Sequence, residues 1–556
     1  MIRWFTLAFL GALLILAAVP PPGAIVFEDI ANRAGLHFVA DNCPTPNKNL
    51  PETMLAGVGL LDYDNDGYLD IYFVNGAAIP SLQKESPKYW NRLFHNNHDG
   101  TFTDVTEQAG VKGAGYGIGV AIGDYDNDGW PDIFVANVTK NQLFHNNHNG
   151  TFSDVTDKAG VGGASLDGKK MWAVSAGWFD YDNDGRLDLF VSNYCVWEVN
   201  KDPFCGPNPS IRAYCHPKNY APLPNTLYHN NGDGTFTDVS ASTGIGNIRG
   251  KGMGVAFADY DHDGFTDVFV ANDNAPNMLF HNLGGKKFEE VALRKGVAYP
   301  DSGAYMSGMG ADFRDIDNDG FDDIWATGFE GDTFPLFHNR NGEFDEITGA
   351  AGIAGATRSM SGWANGIFDL DNDGWKDLMA VRGHVVDNIF VMTMRKPEEP
   401  NTVFRNLGNR KFQDVSGGAG ADFGKPLAHR GVAFGDLDND GRVDAVVSVL
   451  QDNAQYFHNI SRNANHWILL KLVGVKSNRM GLGAQVRITT ANGVQYNHAT
   501  TSTGYACSSD PRVHFGLGAA NVVNEIAITW PSGIHQTLRN VPADQILTVT
   551  EKAGGN

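Results

Sequence analysis

The sequence predicts an all-β chain: a seven-bladed β-propeller with calcium-binding loops, followed by one small C-terminal β domain. Three observations predict it. An acidic nine-residue pattern recurs seven times, short β-branched and aromatic runs follow the copies, and 66 of the 556 residues are glycine. That is about 12% against roughly 7% in average proteins, a density that weakens helices and supplies turns. Hydrophobic residues make up 42% of the chain, enough for a packed core. The formal charge is −22, which opposes contact with a phosphate backbone, so no nucleic-acid partner is expected.

The first element, residues 1–24, reads as a signal peptide. Arg3 precedes an apolar run at residues 4–19, which is followed by Pro20, Pro21, Pro22, Gly23 and Ala24. The run is shorter than the ~20 residues that span a bilayer and has the charge-then-apolar layout of a secretory signal. The expected location is secreted, periplasmic or on the cell surface, with no membrane span after cleavage; retention as an anchor is the alternative.

The second element, residues 25–460, carries the repeat D-x-D-x-D-G-x-x-D. Its carboxylates are Asp62, Asp64, Asp66 and Asp70; Asp124, Asp126, Asp128 and Asp132; Asp180, Asp182, Asp184 and Asp188; Asp259, Asp261, Asp263 and Asp267. The last three copies hold Asp315, Asp317, Asp319 and Asp323; Asp369, Asp371, Asp373 and Asp377; Asp436, Asp438, Asp440 and Asp444. Alternate aspartates in a tight loop converge on one point, and the glycine permits the positive φ that closes it. Hard oxygens in that number suit calcium, while the glutamate at position twelve and the flanking helices of an EF-hand are missing. A plain surface turn needs one or two of these carboxylates, not all four in all seven copies. Seven calcium ions would bring −22 to about −8, so much of the acidity is accounted for by metal.

Each loop leads into a buried-type run such as Ile71-Tyr72-Phe73-Val74, and six copies continue with a second phrase, as in Leu93-Phe94-His95-Asn96 and Thr101-Phe102-Thr103-Asp104-Val105. The unit is therefore four antiparallel strands, recurring every 54 to 79 residues, as in propeller blades. His95, His145, His229, His281, His338 and His458 recur with the blade and read as structural. The seventh copy stops after Tyr456-Phe457-His458-Asn459, and the missing final phrase, Phe27-Glu28-Asp29-Ile30, stands alone at the start. The N-terminal strand should complete the last blade and remove the exposed edge.

These loops resemble FG-GAP or VCBS repeats. The third element, residues 463–551, resembles the ASPIC/UnbV domain through Asn465-His466-Trp467, Gly481-Leu482-Gly483-Ala484, His514-Phe515-Gly516-Leu517-Gly518 and Trp530-Pro531-Ser532-Gly533. The pairing is that of the cartilage acidic protein family, and the resemblance implies a secreted calcium-binding propeller used in binding and adhesion. Arg405 stands where the other copies have the histidine, which reads as a local packing difference. Residues 467–473, 485–490, 513–516 and 525–530 read as strands.

The loops between the second and third strands, and the links between blades, should open on the face opposite the metals. The longest span residues 75–91, 193–225 and 382–401, and long loops on a rigid scaffold are where binding resides. Candidate ligand-binding residues there are Lys170, Trp172, Lys251, Tyr305, Arg358, Trp363, His384, His429 and Arg430; the plainer reading makes them solvated charges and packing aromatics. The expected partner is a glycan or a protein.

Five cysteines in an exported chain suggest disulfides, with at least one thiol left over. Cys205 and Cys215 are the expected bridge, and zinc at these two with His216 is the alternative. No nucleophile elbow, zincin motif, P-loop or dinucleotide fingerprint is present. The rivals to a binding module are a lyase-like carbohydrate-active enzyme, using the face opposite the metals, and a structural partner in a surface or biosynthetic complex.

Overall fold

The computed structural model describes residues 24–166 and 168–552; the signal-peptide reading falls on residues that lie, except for Ala24, outside them. Seven four-stranded antiparallel sheets follow one another along the chain. In blade 2 the strands are Gly117–Gly123, Asp132–Asn137, Gln142–Asn146 and Phe152–Asp154. The first strands of consecutive blades abut around an axis, and that of blade 7, His429–Gly435, abuts that of blade 1, Val58–Leu61. Closure follows the expected route: Phe27–Asp29 pairs with Gln455–Asn459 in the register Phe27 to Asn459 and Asp29 to Phe457.

The first two strands of a blade are buried on both faces, so they read as continuous apolar runs; the fourth is half exposed. After the fourth strand of five blades comes a single helical turn, such as Thr106–Ala109, ended by a left-handed glycine, here Gly110 at φ 77°. These turns are too short to show in the periodicity.

Beyond the ring, two sheets form the C-terminal unit. One orders Val513–Gly518, His466–Val473 and Gln545–Thr550; the other orders Gly493–His498, Gln485–Thr490, Val522–Thr529 and His535–Pro542. All four strand regions expected here are present, and the remaining strands complete the two sheets. This unit lies on the metal-loop face: Gly518 N–H donates to Asn372 O (2.9 Å), Arg479 N–H to Asn127 Oδ1 (2.7 Å) and Lys376 Nζ to Tyr496 O (2.7 Å).

From it a hairpin, Ser502–Thr503 with Cys507–Ser508, runs down the axis of the ring. Ser508 pairs with Gly59 of blade 1, Val120 N–H donates to Ala506 O (3.1 Å), and Ala506 N–H donates to Ser175 Oγ (3.0 Å). Ser502 Oγ donates to Val255 O (2.8 Å), Gly504 and Ala311 exchange backbone bonds, and Phe434 N–H donates to Ser509 Oγ (3.0 Å). The hairpin thus gives the first strands of blades 1, 2, 3, 4, 5 and 7 hydrogen-bond partners that a bare channel would leave to water. Gly119 shows what the fit requires: a Cβ there would collide with the Val174 carbonyl and lie 2.9 Å from Ala506 Cβ. At the tip Tyr505 is fully buried and donates to Met54 O (2.8 Å).

Candidate metal centres and the opposite face

Each acidic loop is held by its own backbone in a repeated way. The first aspartate accepts the glycine N–H in all seven loops, at 2.8 to 3.2 Å. The fifth residue accepts the N–H two positions on, at 2.9 Å in every copy. The ninth accepts the N–H of the third-strand asparagine, at 2.7 to 2.8 Å. The glycine has positive φ throughout, from 86° to 97°, as its place in the pattern requires.

The third-position aspartate is different. Asp64, Asp182, Asp261 and Asp317 each have a buried Oδ1 with no hydrogen-bond partner, while the buried Oδ2 of Asp371 faces Arg405 Nε at 2.8 Å. A buried carboxylate oxygen left without a donor is costly, and a hard cation is the partner that such a cluster of oxygens fits. Carboxylates and the blade histidine come within 4.8 Å of one another in groups such as Asp64, Asp66 and His95. Burial first, and then neighbouring carboxylates, push Asp124 and Asp180 up to about 8. Asp436 is also pushed up to about 8 by burial, which outweighs the nearby Arg512.

The recurring histidines sit behind the loop. His95 Nδ1 is 3.3 Å from Asp70 Oδ1 and 3.4 Å from Asp64 Oδ2, and the Asp70 carboxylate beside it raises its pKa above the ordinary value. Arg405 does the same work by a longer reach, with Nε 2.8 Å from Asp371 and a terminal nitrogen 2.9 Å from Asp373.

Two sets of asparagines were missed. The fourth loop residue, Asn65, Asn127, Asn183, Asn318, Asn372 or Asn439, is left-handed, at φ 57° to 60°. Its Nδ2 donates to the loop-glycine carbonyl of the next blade, at 2.8 to 3.1 Å. The fourth loop has His262 here, stacked on Phe321 with centroids 4.4 Å apart. The asparagine of the His-Asn or Arg-Asn phrase reaches the other way. Its Nδ2 donates to the carbonyl just after the first aspartate of the preceding blade, at 2.7 to 2.9 Å in all seven cases. The signal was the constancy of asparagine at these two positions.

On the opposite face the nine expected ligand residues do not assemble into one open site. Lys170 and Arg358 are exposed, and Tyr305 is 59% exposed beside Tyr299. Trp172 and Lys251 are buried. Trp363 is buried and donates to Gly383 O (2.7 Å). Arg430 is 2% exposed, lies 4.2 Å over the Trp363 ring, and donates to Thr53 O, His429 O and His384 O. It is a buried hub, not a surface cation. His429 has both ring nitrogens engaged, by Arg382 O and Gln455 Oε1, each at 2.9 Å, and burial pushes it down to about 4. His384 is also buried, with Nε2 3.4 Å from Glu330. Of these, Trp363 packs on Tyr505 of the axial hairpin, with ring centroids 5.2 Å apart.

What this face does present is a cavity of about 170 Å³ at the end of the axis, lined by Tyr194, Tyr214, Phe329, Trp363, His216 and Asp273 among others. Asp273 is buried and accepts the Tyr194 hydroxyl at 2.5 Å. The Cys205–Cys215 disulfide is formed beside it, while Cys43, Cys195 and Cys507 are free thiols.

Residues 62–135, 124–191, 219–270, 259–326 and 387–447 match the FG-GAP-like repeat family, and residues 474–556 match the ASPIC and UnbV family. Cartilage acidic protein 1 of Xenopus tropicalis is 25% identical over 90% of this chain and 74% of its own length; that of Mus musculus is 24% identical over 96% and 80%. A solved Agrocybe aegerita lectin that recognises non-reducing terminal N-acetylglucosamine aligns at 17% identity and a TM-score of 0.39, covering 65% of this chain and 79% of the lectin. That overlap is too loose to argue from. The repeats, their four-stranded sheets and the domain that follows them place the chain in the FG-GAP-like repeat family, with a C-terminal ASPIC and UnbV domain.

Proposed function

We propose that the chain is an exported, calcium-loaded binding module that takes up a glycan or a protein on the face opposite the metal loops. The observation that carries the calcium reading is the set of third-position aspartate oxygens buried without a donor in four of the loops. Calcium would be held by the first, third, fifth and ninth aspartates of each loop, and its role there is structural: it neutralises carboxylates that otherwise repel one another. Among the described residues no helix is long and apolar enough to cross a membrane, and the disulfide fits an oxidising compartment. For the partner, the aromatic cavity around Tyr214, Trp363 and Asp273 is the recognition point, because aromatic faces with one buried polar anchor suit sugars and side chains alike.

The test is metal content by native mass spectrometry together with melting in chelator and in millimolar calcium, the range in which extracellular modules often bind. Bound calcium and a melting temperature that falls in chelator and returns with calcium support the reading; a metal-free protein that melts unchanged in both overturns it. For the partner, a glycan array and a pull-down are compared between the parent and Tyr214→Ala. Equal capture by both removes the assignment to this cavity.

A further inference from the structure

A cavity of about 440 Å³ lies on the acidic-loop face, between blades 1 and 2 and the C-terminal domain. Its reachable apolar lining is Pro131 of the propeller with Val473, Met480 and Ile546 of the C-terminal domain, and Leu60, Leu69, Ile122 and Leu472 are buried behind it. Packed domains normally close such walls on each other, since an apolar gap forfeits contacts on both surfaces. The volume is that of a small-molecule site.

Two cations stand at its edge. Lys471 Nζ is 3.5 Å from Asp62 Oδ2, too long for a hydrogen bond, and the Arg479 side chain donates only to Gly474 O, at 3.4 Å. Arg512, which also lines the cavity, is already paired with Asp510 and donates to Asn439. The lining acids Asp62 and Asp124 are first residues of metal loops. On the calcium reading their charge is answered by the ions, and the inference rests on that reading in this one respect. Lys471 and Arg479 are then the lining groups left to meet a ligand, on a chain whose overall charge is negative.

We propose that this cleft binds a single alkyl chain ending in a carboxylate, a ligand of the fatty-acid class. The chain lies along Val473, Met480 and Ile546, and the carboxylate is met by Lys471 and Arg479. A cleft of this size takes one chain and not the two of a membrane phospholipid.

The test uses the full chain in calcium, with decanoate as the probe and decanol as its uncharged counterpart, read by titration calorimetry alongside melting in calcium and in chelator. Decanoate should bind saturably and one to one, at least tenfold tighter than decanol, and about fourfold tighter per methylene on going from octanoate to decanoate. Ile546→Trp, which fills the cleft, should abolish binding, with folding checked by melting. Lys471→Gln together with Arg479→Gln should remove the preference for decanoate and leave decanol binding as it was. No saturable decanoate binding, equal affinity for the two probes, or undiminished binding by a folded Ile546→Trp variant overturns the assignment. Decanoate failing to bind while calcium raises the melting temperature defeats the cleft alone. Decanoate binding by a protein that melts alike in calcium and chelator supports the cleft and defeats the calcium reading.

Discussion

Asn183 Nδ2 donates to the backbone carbonyl of Gly264 at 2.9 Å, tying the metal loop of blade 3 to that of blade 4. The same bond joins five other pairs of neighbouring loops and is replaced between blades 4 and 5 by the His262–Phe321 stack. The loops are therefore links of one chain around the ring.

Asn183 has φ 57°, so its two contributions can be separated by substitution. Asn183→Gly keeps the left-handed backbone and loses the bond, which should cost about 1 kcal/mol. Asn183→Ala loses both and should cost about 2 to 3 kcal/mol. Chemical unfolding of the two variants measures this. Equal costs would show that the backbone shape is not the larger part.

Stability without metal should fall as pH rises. Burial lifts Asp124, Asp180 and Asp436 to about 8, so between about pH 4 and pH 8 the folded state binds more protons than the unfolded state. The slope of unfolding free energy against pH is then negative. In chelator the protein should melt higher at pH 5.5 than at pH 8, and the gain on adding calcium should be larger at pH 8. Melting curves at the two pH values, with and without calcium, check both parts.

The axial hairpin should be a major source of stability. Tyr505→Phe removes the bond to Met54 O and should cost about 1 kcal/mol. Tyr505→Ala also leaves an unfilled site at the centre of the ring and should cost about 3 to 5 kcal/mol. Unfolding followed separately by propeller and C-terminal tryptophans should shift together in both variants; a shift confined to the C-terminal signal would mean that the ring does not need the hairpin.

Closure depends on Phe27, which stacks on Phe423 at 5.5 Å and lies 6.2 Å from Phe457. Phe27→Ala should cost about 3 to 5 kcal/mol and expose the edge of blade 7. Hydrogen exchange at 455–459 should rise in this variant before it rises in blades 2 to 4.

The acidic loops and the ring were legible because both are repeated: seven copies of four carboxylates fix the blade phase, and the stray Phe27 phrase shows how the ends meet. The ligand face was not legible, for a physical reason. His429 and Arg430 open the first strand of blade 7, and polar residues at a strand end next to a long loop look like a channel mouth. His429 is instead enclosed by Arg382 and Gln455, and Arg430 by Thr53, His384 and the Trp363 ring, which itself packs on Tyr505 of the hairpin; no pattern near 429–430 announces these partners. Nothing in the repeat shows that the C-terminal domain lies across the acidic-loop face and, with blades 1 and 2, encloses a cavity there. The fourth-position asparagines were given no role, since a bond to the next blade has no signature within the loop itself.

The hairpin also decides how the molecule carries load. A domain joined only by a linker passes any pull to the few residues of that linker, here those near 460–465. This C-terminal domain is instead threaded through the ring, with its bonds shared among the first strands of six blades. A tug on it along the axis must draw a fully buried tyrosine through the whole depth of the propeller. Tension is spread around the circumference, so the two domains resist separation as a bolt resists withdrawal from its nut.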